Sequence, residues 1–390
     1  MTTPCLMAQK TTARTVRQEL SQARSYVKSR KNFDKAEQLM THLLADTANS
    51  GNKRIYVVWL DAVKGQYDQA NERFYVGQKQ DTAAFFALTR RMFTVATKLD
   101  SIDALPDKRG RVKPAYRQKN AAMLHNYRPN LYNAGTYFIR KEQWQQAFDF
   151  IDTYIRCASQ PLFANYNYTT NDHRLPDAAY WATYAAYRLH NANLTLRYNQ
   201  MALADTVHAA FTLQFTAEAH KWLENRGSYV ATLQQGFHSY PLFPYFFPRL
   251  IDAYTVNAQY NDALLLADSA LQVCDTCQLF LLAKSSTLLR MRRMEESIEY
   301  SKRILQLNDS MPEACLNAAT AYAELAAQYS AIDQKTAQRE YYQRARTYAE
   351  SYRALMPHEK NKWGPLLYRI YLNLNLGRQF DEIDSILNKP

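Results

Sequence analysis

Of the 390 residues, 47% are hydrophobic and 22% charged, so the chain carries ample apolar material for a large core and falls outside the disordered class. Only nine are glycine, well under the roughly 7% of ordinary globular chains, which argues against folds that need many tight turns or close backbone approach, such as nucleotide-binding α/β sheets and β-sandwiches. The 48 Lys plus Arg against 36 Asp plus Glu give a formal net charge of +12, which favours anionic partners or surfaces and is silent on fold.

The chain begins MTTPCLMAQ, small-polar and then apolar before Ala8-Gln9. It resembles the tail of a secretory signal peptide, with Leu6 standing where a small residue is usual. Residues 1–12 are therefore read as the remnant of such a peptide or a disordered tail. The resemblance implies a periplasmic or exported protein; the alternative is a cytoplasmic one. The rest, 13–390, reads as one helical array.

In 17–50, Leu20, Val27, Phe33, Ala36 and Leu43 set bulky residues against a small one at helical spacing. Residues 53–105 predict two long helices around VGQKQD. DKRGRVKPAYRQK follows, with Lys108, Arg109, Arg111, Lys113, Arg117 and Lys119 around Gly110 and Pro114, hence on a loop. The 108–119 loop is a solvated linker or a docking patch for an anionic surface.

The pattern is clearest in 128–161. Counting Arg128 as position 1 places Leu131 at 4, Gly135 at 8, Phe138 at 11, Trp144 at 17, Ala147 at 20, Ile151 at 24 and Tyr154 at 27. This resembles the tetratricopeptide repeat, a helix-turn-helix of about 34 residues in which large side chains interlock with small ones where the two helices cross. Weaker copies span 176–209 and 213–243. His220, at a small-residue position, reads as a satisfied packing histidine. In YPLFPYFFPRL, residues 240–250, Phe246 and Phe247 either plug a gap between hairpins or expose an apolar patch.

The frame recurs in 244–277 with Phe247, Tyr254, Tyr260, Ala263 and Ala270, in 278–311 with Ser297 and Ile304, and in 312–357 with Cys315, Ala319 and Tyr322; 364–388 looks like a terminal repeat. Lys284 and Ser301 depart from the pattern. The resemblance thus implies an all-α fold, a right-handed α-solenoid of helix-turn-helix TPR-like repeats. Tyrosine, at 29 residues, recurs beside alanine and leucine as interhelix packing.

Cys274 and Cys277 straddle a turn between hairpins. A structural zinc site wants a second ligand pair and a thioredoxin-like pair wants a preceding strand, so turn packing with free or mutually bonded thiols is favoured over redox or metal chemistry. Cys157 and Cys315 occupy packing positions. No nucleotide, hydrolase or metalloprotease motif occurs, no catalytic residue, cofactor or metal is assigned, and no enzyme activity is expected. Nucleic-acid motifs are likewise missing from the sequence, and no stretch of eighteen apolar residues predicts a membrane span.

Seven Asp-Ser or Asp-Thr pairs, at Asp46, Asp81, Asp100, Asp205, Asp268, Asp309 and Asp384, precede an aliphatic residue or methionine. They resemble the sequon of a bacterial O-glycosylation system that acts outside the cytoplasm; helix capping accounts for some, and some copies are expected to be buried.

The resemblance implies a concave groove lined by first helices, which binds a peptide or protein partner. Its face would carry Tyr132, Asn133, Thr136 and Arg140; Tyr245, Arg249, Asp252 and Thr255; Ser286 and Arg290; Asn317 and Thr320. The expected function is a non-catalytic interaction scaffold. The alternative is a glycan-binding component of an envelope uptake system, against which stands the lack of long inserted loops.

Overall fold

In the computed structural model, residues 12–79, 81–329 and 334–387 are described, and among them the regular elements are helices with no strand. The amino-terminal residues 1–11, with Cys5 and most of the signal-peptide reading, lie outside them. The chain divides into two compact units, Met1–Tyr229 and Val230–Pro390, where the sequence predicts one continuous array.

The first unit runs α1 (Ala13–Lys28), α2 (Phe33–Ala45), α3 (Lys53–Tyr75), α4 (Thr82–Asp103), α5 (Arg117–Arg140), α6 (Trp144–Arg156), α7 (Tyr168–Asn171), α8 (Leu175–Arg188), α9 (Ala192–Arg197), α10 (Asn199–Ala202) and α11 (Ala209–Trp222). The division falls inside α12 (Arg226–Ser239). The second unit continues with α13 (Phe246–Val256), α14 (Tyr260–Val273), α15 (Gln278–Arg290), α16 (Met294–Leu307), α17 (Pro312–Gln328), α18 (Lys335–Leu355), α19 (Lys360–Leu374) and α20 (Gly377–Leu387). Within each unit helices adjacent in the chain pack together, as α1 on α2, α5 on α6, α15 on α16 and α17 on α18, and first helices also meet the first helices of adjoining pairs, as α1 meets α3, α15 meets α17 and α17 meets α19. This is an all-α solenoid.

A glycine-poor chain turns these corners by an unexpected device. At several hairpins a non-glycine residue takes the left-handed conformation: Glu142 (φ 55°), His190 (φ 52°), Ala258 (φ 57°) and Arg292 (φ 58°) among them. The next residue then donates its backbone N–H five residues back, Gln143 to Phe138 (2.9 Å), Gln259 to Tyr254 (2.9 Å) and Arg293 to Leu288 (2.9 Å). These 6→1 bonds are Schellman caps, which satisfy carbonyls that the helix end leaves orphaned.

Packing follows the small-against-large rule. Ala147, Ile151 and Leu131 are fully buried, and Gly135 on α5 abuts Ile151 on α6. In the second unit Phe246 lies over Gly236 and Phe247 packs on Phe237 and Phe280, ring centroids 5.8 and 4.5 Å apart, so YPLFPYFFPRL fills a gap, although Leu242 stays exposed. The two frame departures also find reasons. Ser285, Ser297 and Ser301 are buried together, with Ser285 Oγ 2.8 Å from Ser301 Oγ and Ser297 Oγ donating to Ser285 O at 2.9 Å. Lys284 pairs with Asp268 and donates to Tyr300 Oη at 2.7 Å.

Cys274 ends α14 in an extended conformation and Cys277 caps α15, its carbonyl accepting from Phe280 and Leu281, both at 3.0 Å. Both thiols are free. Among the described residues no helix is long and apolar enough to cross a membrane.

Candidate functional site

Between α6 and α8 the chain makes a detour that sequence periodicity did not reveal. Two 3₁₀ segments, Cys157–Ser159 and Pro161–Tyr166, and the single turn of α7 carry Tyr166 and Tyr168 against α5. Pro161 starts the second segment and Asn167, in the left-handed region, ends it, so the chain reverses without a long helix.

This detour, the middle of α5, Tyr154 of α6 and the start of α8 enclose a cleft of about 810 Å³. At its floor is Arg128, 5% exposed, its guanidinium sandwiched between the rings of Tyr154 (3.8 Å to the centroid) and Tyr168 (3.9 Å). A buried guanidinium requires a counter-charge, and Asp172 supplies it at 2.7 Å. Tyr154 donates to the same carboxylate oxygen at 2.7 Å, and the Arg174 backbone N–H caps the other at 3.0 Å. Burial acts to raise the Asp172 carboxyl, but hydrogen bonds from Tyr154 and Arg128 outweigh it and hold the group below its ordinary range. Burial pushes the Tyr154 and Tyr168 hydroxyls up, so both stay protonated. Tyr168 Oη lies 2.7 Å from His125 Nδ1, and Tyr166 stacks on the exposed His125 ring with centroids 4.3 Å apart and planes 11° off parallel.

The rim of the cleft continues onto the face named from the sequence. Tyr132 donates to Asp177 of α8, which also accepts from Trp181 Nε1 at 3.0 Å, so α5 and α8 present adjoining parts of one surface. Asn133 and Arg140 are exposed on it; Tyr132 and Thr136 are half-buried, and Thr136 donates to Asn133 O. On α8 the spacing Asp177, Trp181, Tyr184, Arg188 extends the surface, with Arg188 4.3 Å above the Trp144 ring. These residues were missed, although their three-and-four spacing was legible.

In the second unit the named residues are less open. Tyr245 is only 5% exposed and precedes α13 rather than lying on it, because the helix begins at Phe246; Arg249 covers its ring at 3.8 Å and donates to its carbonyl at 3.1 Å. Its assignment to the open face is corrected. Thr255 donates to Ile251 O at 2.9 Å, and Asp252 is exposed. Asn317 of α17 donates to Ser286 of α15 at 2.9 Å, which brings those two together; Arg290 is exposed and Thr320 half-buried.

Three other sequence expectations change. Arg117 and Lys119 belong to the first turn of α5, not to a loop, because Arg117 is held by Asp100 through Nε and Nη2 (2.8 Å each) and the Tyr116 N–H by Asp103 at 2.9 Å. In the loop itself Arg111 pairs with Asp107 at 2.9 Å. His220 is not fully satisfied: its buried Nδ1 meets no hydrogen-bond partner among the described residues, and burial lowers its pKa. Of the seven Asp-Ser/Thr pairs, Thr47, Ser101, Thr206, Ser269, Ser310 and Ser385 are exposed and Thr82 half-buried, so no Ser or Thr of a pair is buried, whereas the aspartates Asp46 and Asp100 are. Asp46 and Asp81 nonetheless act as caps, at 3.0 Å to Ala48 N and 2.9 Å to Ala83 N.

Asp177, Asp205 and His208 bring three ligand atoms within 4.8 Å of one another. Their carboxylates are already engaged, Asp177 by Tyr132 and Trp181, Asp205 by His208 Nδ1 (2.7 Å) and Val207 N (3.1 Å), so the trio reads as interhelix bonding.

No protein-family model matches the sequence, and no curated protein matches it. Solved structures similar to the chain include the C-terminal part of a TPR repeat-containing protein from Cytophaga hutchinsonii, at 8% identity over 65% of this chain and 92% of that one, TM-score 0.46. The TPR2AB domain of yeast Sti1 in complex with pHSP90 is similar at 10% identity over 63% of this chain and 99% of that one, TM-score 0.24. The P58(IPK) TPR domain is similar at 11% identity over 96% and 99%, TM-score 0.27.

Proposed function

We propose that the chain is a non-catalytic interaction scaffold that holds an extended segment of a protein partner across the surface shared by α5 and α8. The observation that carries this is the bond from Tyr132 to Asp177, which joins two first helices into one polar and aromatic strip. An extended peptide presents alternating backbone donors and acceptors, and Asn133, Arg140, Arg174 and Arg188 offer exposed heads to meet them, with Trp181 and Tyr184 as ring surfaces for side chains. An array of overlapping peptides from the organism's own proteins tests it. The expected result is binding by the natural chain that falls at least about tenfold in Arg140→Ala and Arg174→Ala; retention of binding by both variants contradicts it.

A second reading rests on the cleft itself, where Tyr166 on His125 offers a ring platform beside guanidinium and amide heads, an arrangement suited to a carbohydrate. Glycan retention abolished by Tyr166→Ala, with peptides ignored, would put this reading first. We further propose an exported protein, supported by the exposure of six of the Ser/Thr residues that follow the aspartates; cell fractionation tests this, and a cytoplasmic pool alone contradicts it.

A further inference from the structure

At the amino-terminal end of the first unit, α1 and the start of α3 enclose a separate cleft of about 690 Å³, lined by Ala13, Val16, Arg17, Leu20, Ser21, Arg24, Asn52 and Arg54. Arg17, Ser21 and Arg24 fall at i, i+4 and i+7, hence on one side of α1. Arg54, in the first turn of α3, faces the same space, where Asn52 caps the helix by accepting from Arg54 N at 3.2 Å.

The chemistry of this lining is one-sided. Several guanidinium groups elsewhere meet carboxylates, as in Arg91–Glu37 (2.8 Å), Arg117–Asp100 (2.8 Å), Arg128–Asp172 (2.7 Å) and Arg369–Glu324 (2.8 Å). The cleft lining holds no acidic side chain, and Arg17, Arg24 and Arg54 form no ion pair with any described residue. The one carboxylate of α1, Glu19, is turned to His42 of α2 at 3.1 Å. Three like charges around one concavity repel one another, and that repulsion is relieved when an anion enters.

We propose that this cleft binds a phosphoryl group. A carboxylate has two oxygens and saturates one guanidinium fork, whereas a phosphoryl dianion offers three terminal oxygens to three forks. Ser21 adds a hydroxyl, and the first turn of α3 adds its partial positive charge. Val16 and Leu20 beside the arginines leave room for an apolar portion of the same ligand. The phosphoryl group belongs either to a soluble phosphorylated molecule or to a lipid headgroup, and the two sources separate experimentally.

The test uses the full chain at low ionic strength with two probes: inorganic phosphate by calorimetry, and cosedimentation with phosphatidylcholine vesicles with or without phosphatidic acid, whose headgroup is a phosphomonoester. Two variants carry the same change in net charge. One is Arg17→Gln, Arg24→Gln, Arg54→Gln; the other, Lys108→Gln, Arg109→Gln, Lys113→Gln, lies in the basic loop. All six side chains are exposed, and circular dichroism verifies that both variants fold. At least one probe binds the natural chain and the loop variant alike, and the cleft variant weakens it about tenfold or more. Phosphate binding assigns a soluble ligand; binding only to phosphatidic acid vesicles assigns a headgroup. Absence of binding to both probes, or equal loss in the two variants, overturns the proposal.

Discussion

Gly135 on α5 stands so close to Ile151 on α6 that a Cβ placed on it would overlap Cγ1 of that isoleucine and lie 2.8 Å from its Cδ1. The contact sits where the two helices of the hairpin cross, with the Ala147 carbonyl oxygen 3.5 Å from the same Cβ position. Gly135→Ala should therefore destabilise the first unit by about 1 to 3 kcal/mol, and Ala147→Phe should overpack the same crossing by a similar amount. Gly227, with nothing within 4 Å of its Cβ position, is the control: Gly227→Ala should be neutral or stabilising. Urea unfolding of the three variants makes the comparison.

The hairpin turns give a prediction of opposite sign. Ala258 holds φ 57°, where an L side chain costs roughly 1 to 2 kcal/mol that glycine avoids. Ala258→Gly should raise stability by about 1 kcal/mol after the added chain entropy of glycine is deducted. A lower urea midpoint would show that the left-handed turn is misplaced.

Ser285, Ser297 and Ser301 should behave as a unit. Ser285→Ala removes the group that Ser297, Ser301 and Asn317 share, and costs roughly 1 to 3 kcal/mol because buried hydroxyls lose their partner. The triple change to alanine should cost less than the sum of the single changes, since no partner is then left wanting. Strict additivity in a thermal-unfolding cycle would contradict the network.

Arg128 and Asp172 set an acid limb. Asp172 has a carboxyl held below its unfolded value, so its contribution is complete above the ordinary carboxylate range and is lost as pH falls through the folded value. His220, lowered by burial alone, acts in the same direction at milder acidity: its neutral form is favoured in the fold, so stability begins to fall once pH drops below the ordinary histidine value near 6.5. Asp172→Asn should cost about 3 to 5 kcal/mol by leaving a buried guanidinium unpaired, and should flatten the acid limb. Unfolding measured from neutral to acid pH checks both slopes.

How far these features could be read from the sequence differs from residue to residue. The bulky-and-small frame of Leu131, Gly135, Ala147 and Ile151 was legible because helix crossing restricts volume at fixed spacing. Ser301 looked like a fault because its meaning lies in Ser285, sixteen residues away, and a single chain shows no such correlation. The detour carrying Tyr166 and Tyr168 has no period of its own, so its aromatic residues blended into the general surplus. Tyr245 was misplaced because the frame fixes helix interiors better than helix starts. The left-handed turns at Glu142, Ala258 and Arg292 left no trace, since none of these residues signals a turn.

The proposed binding surface is the one that α5 and α8 share through Tyr132 and Asp177. Peptide-array binding by the natural chain, set beside Arg140→Ala and Arg174→Ala of proven fold, tests it most directly. Particular extended peptides are expected to bind, and each variant to lose them at least about tenfold. Undiminished binding by both variants, or an array on which no peptide is held, contradicts it.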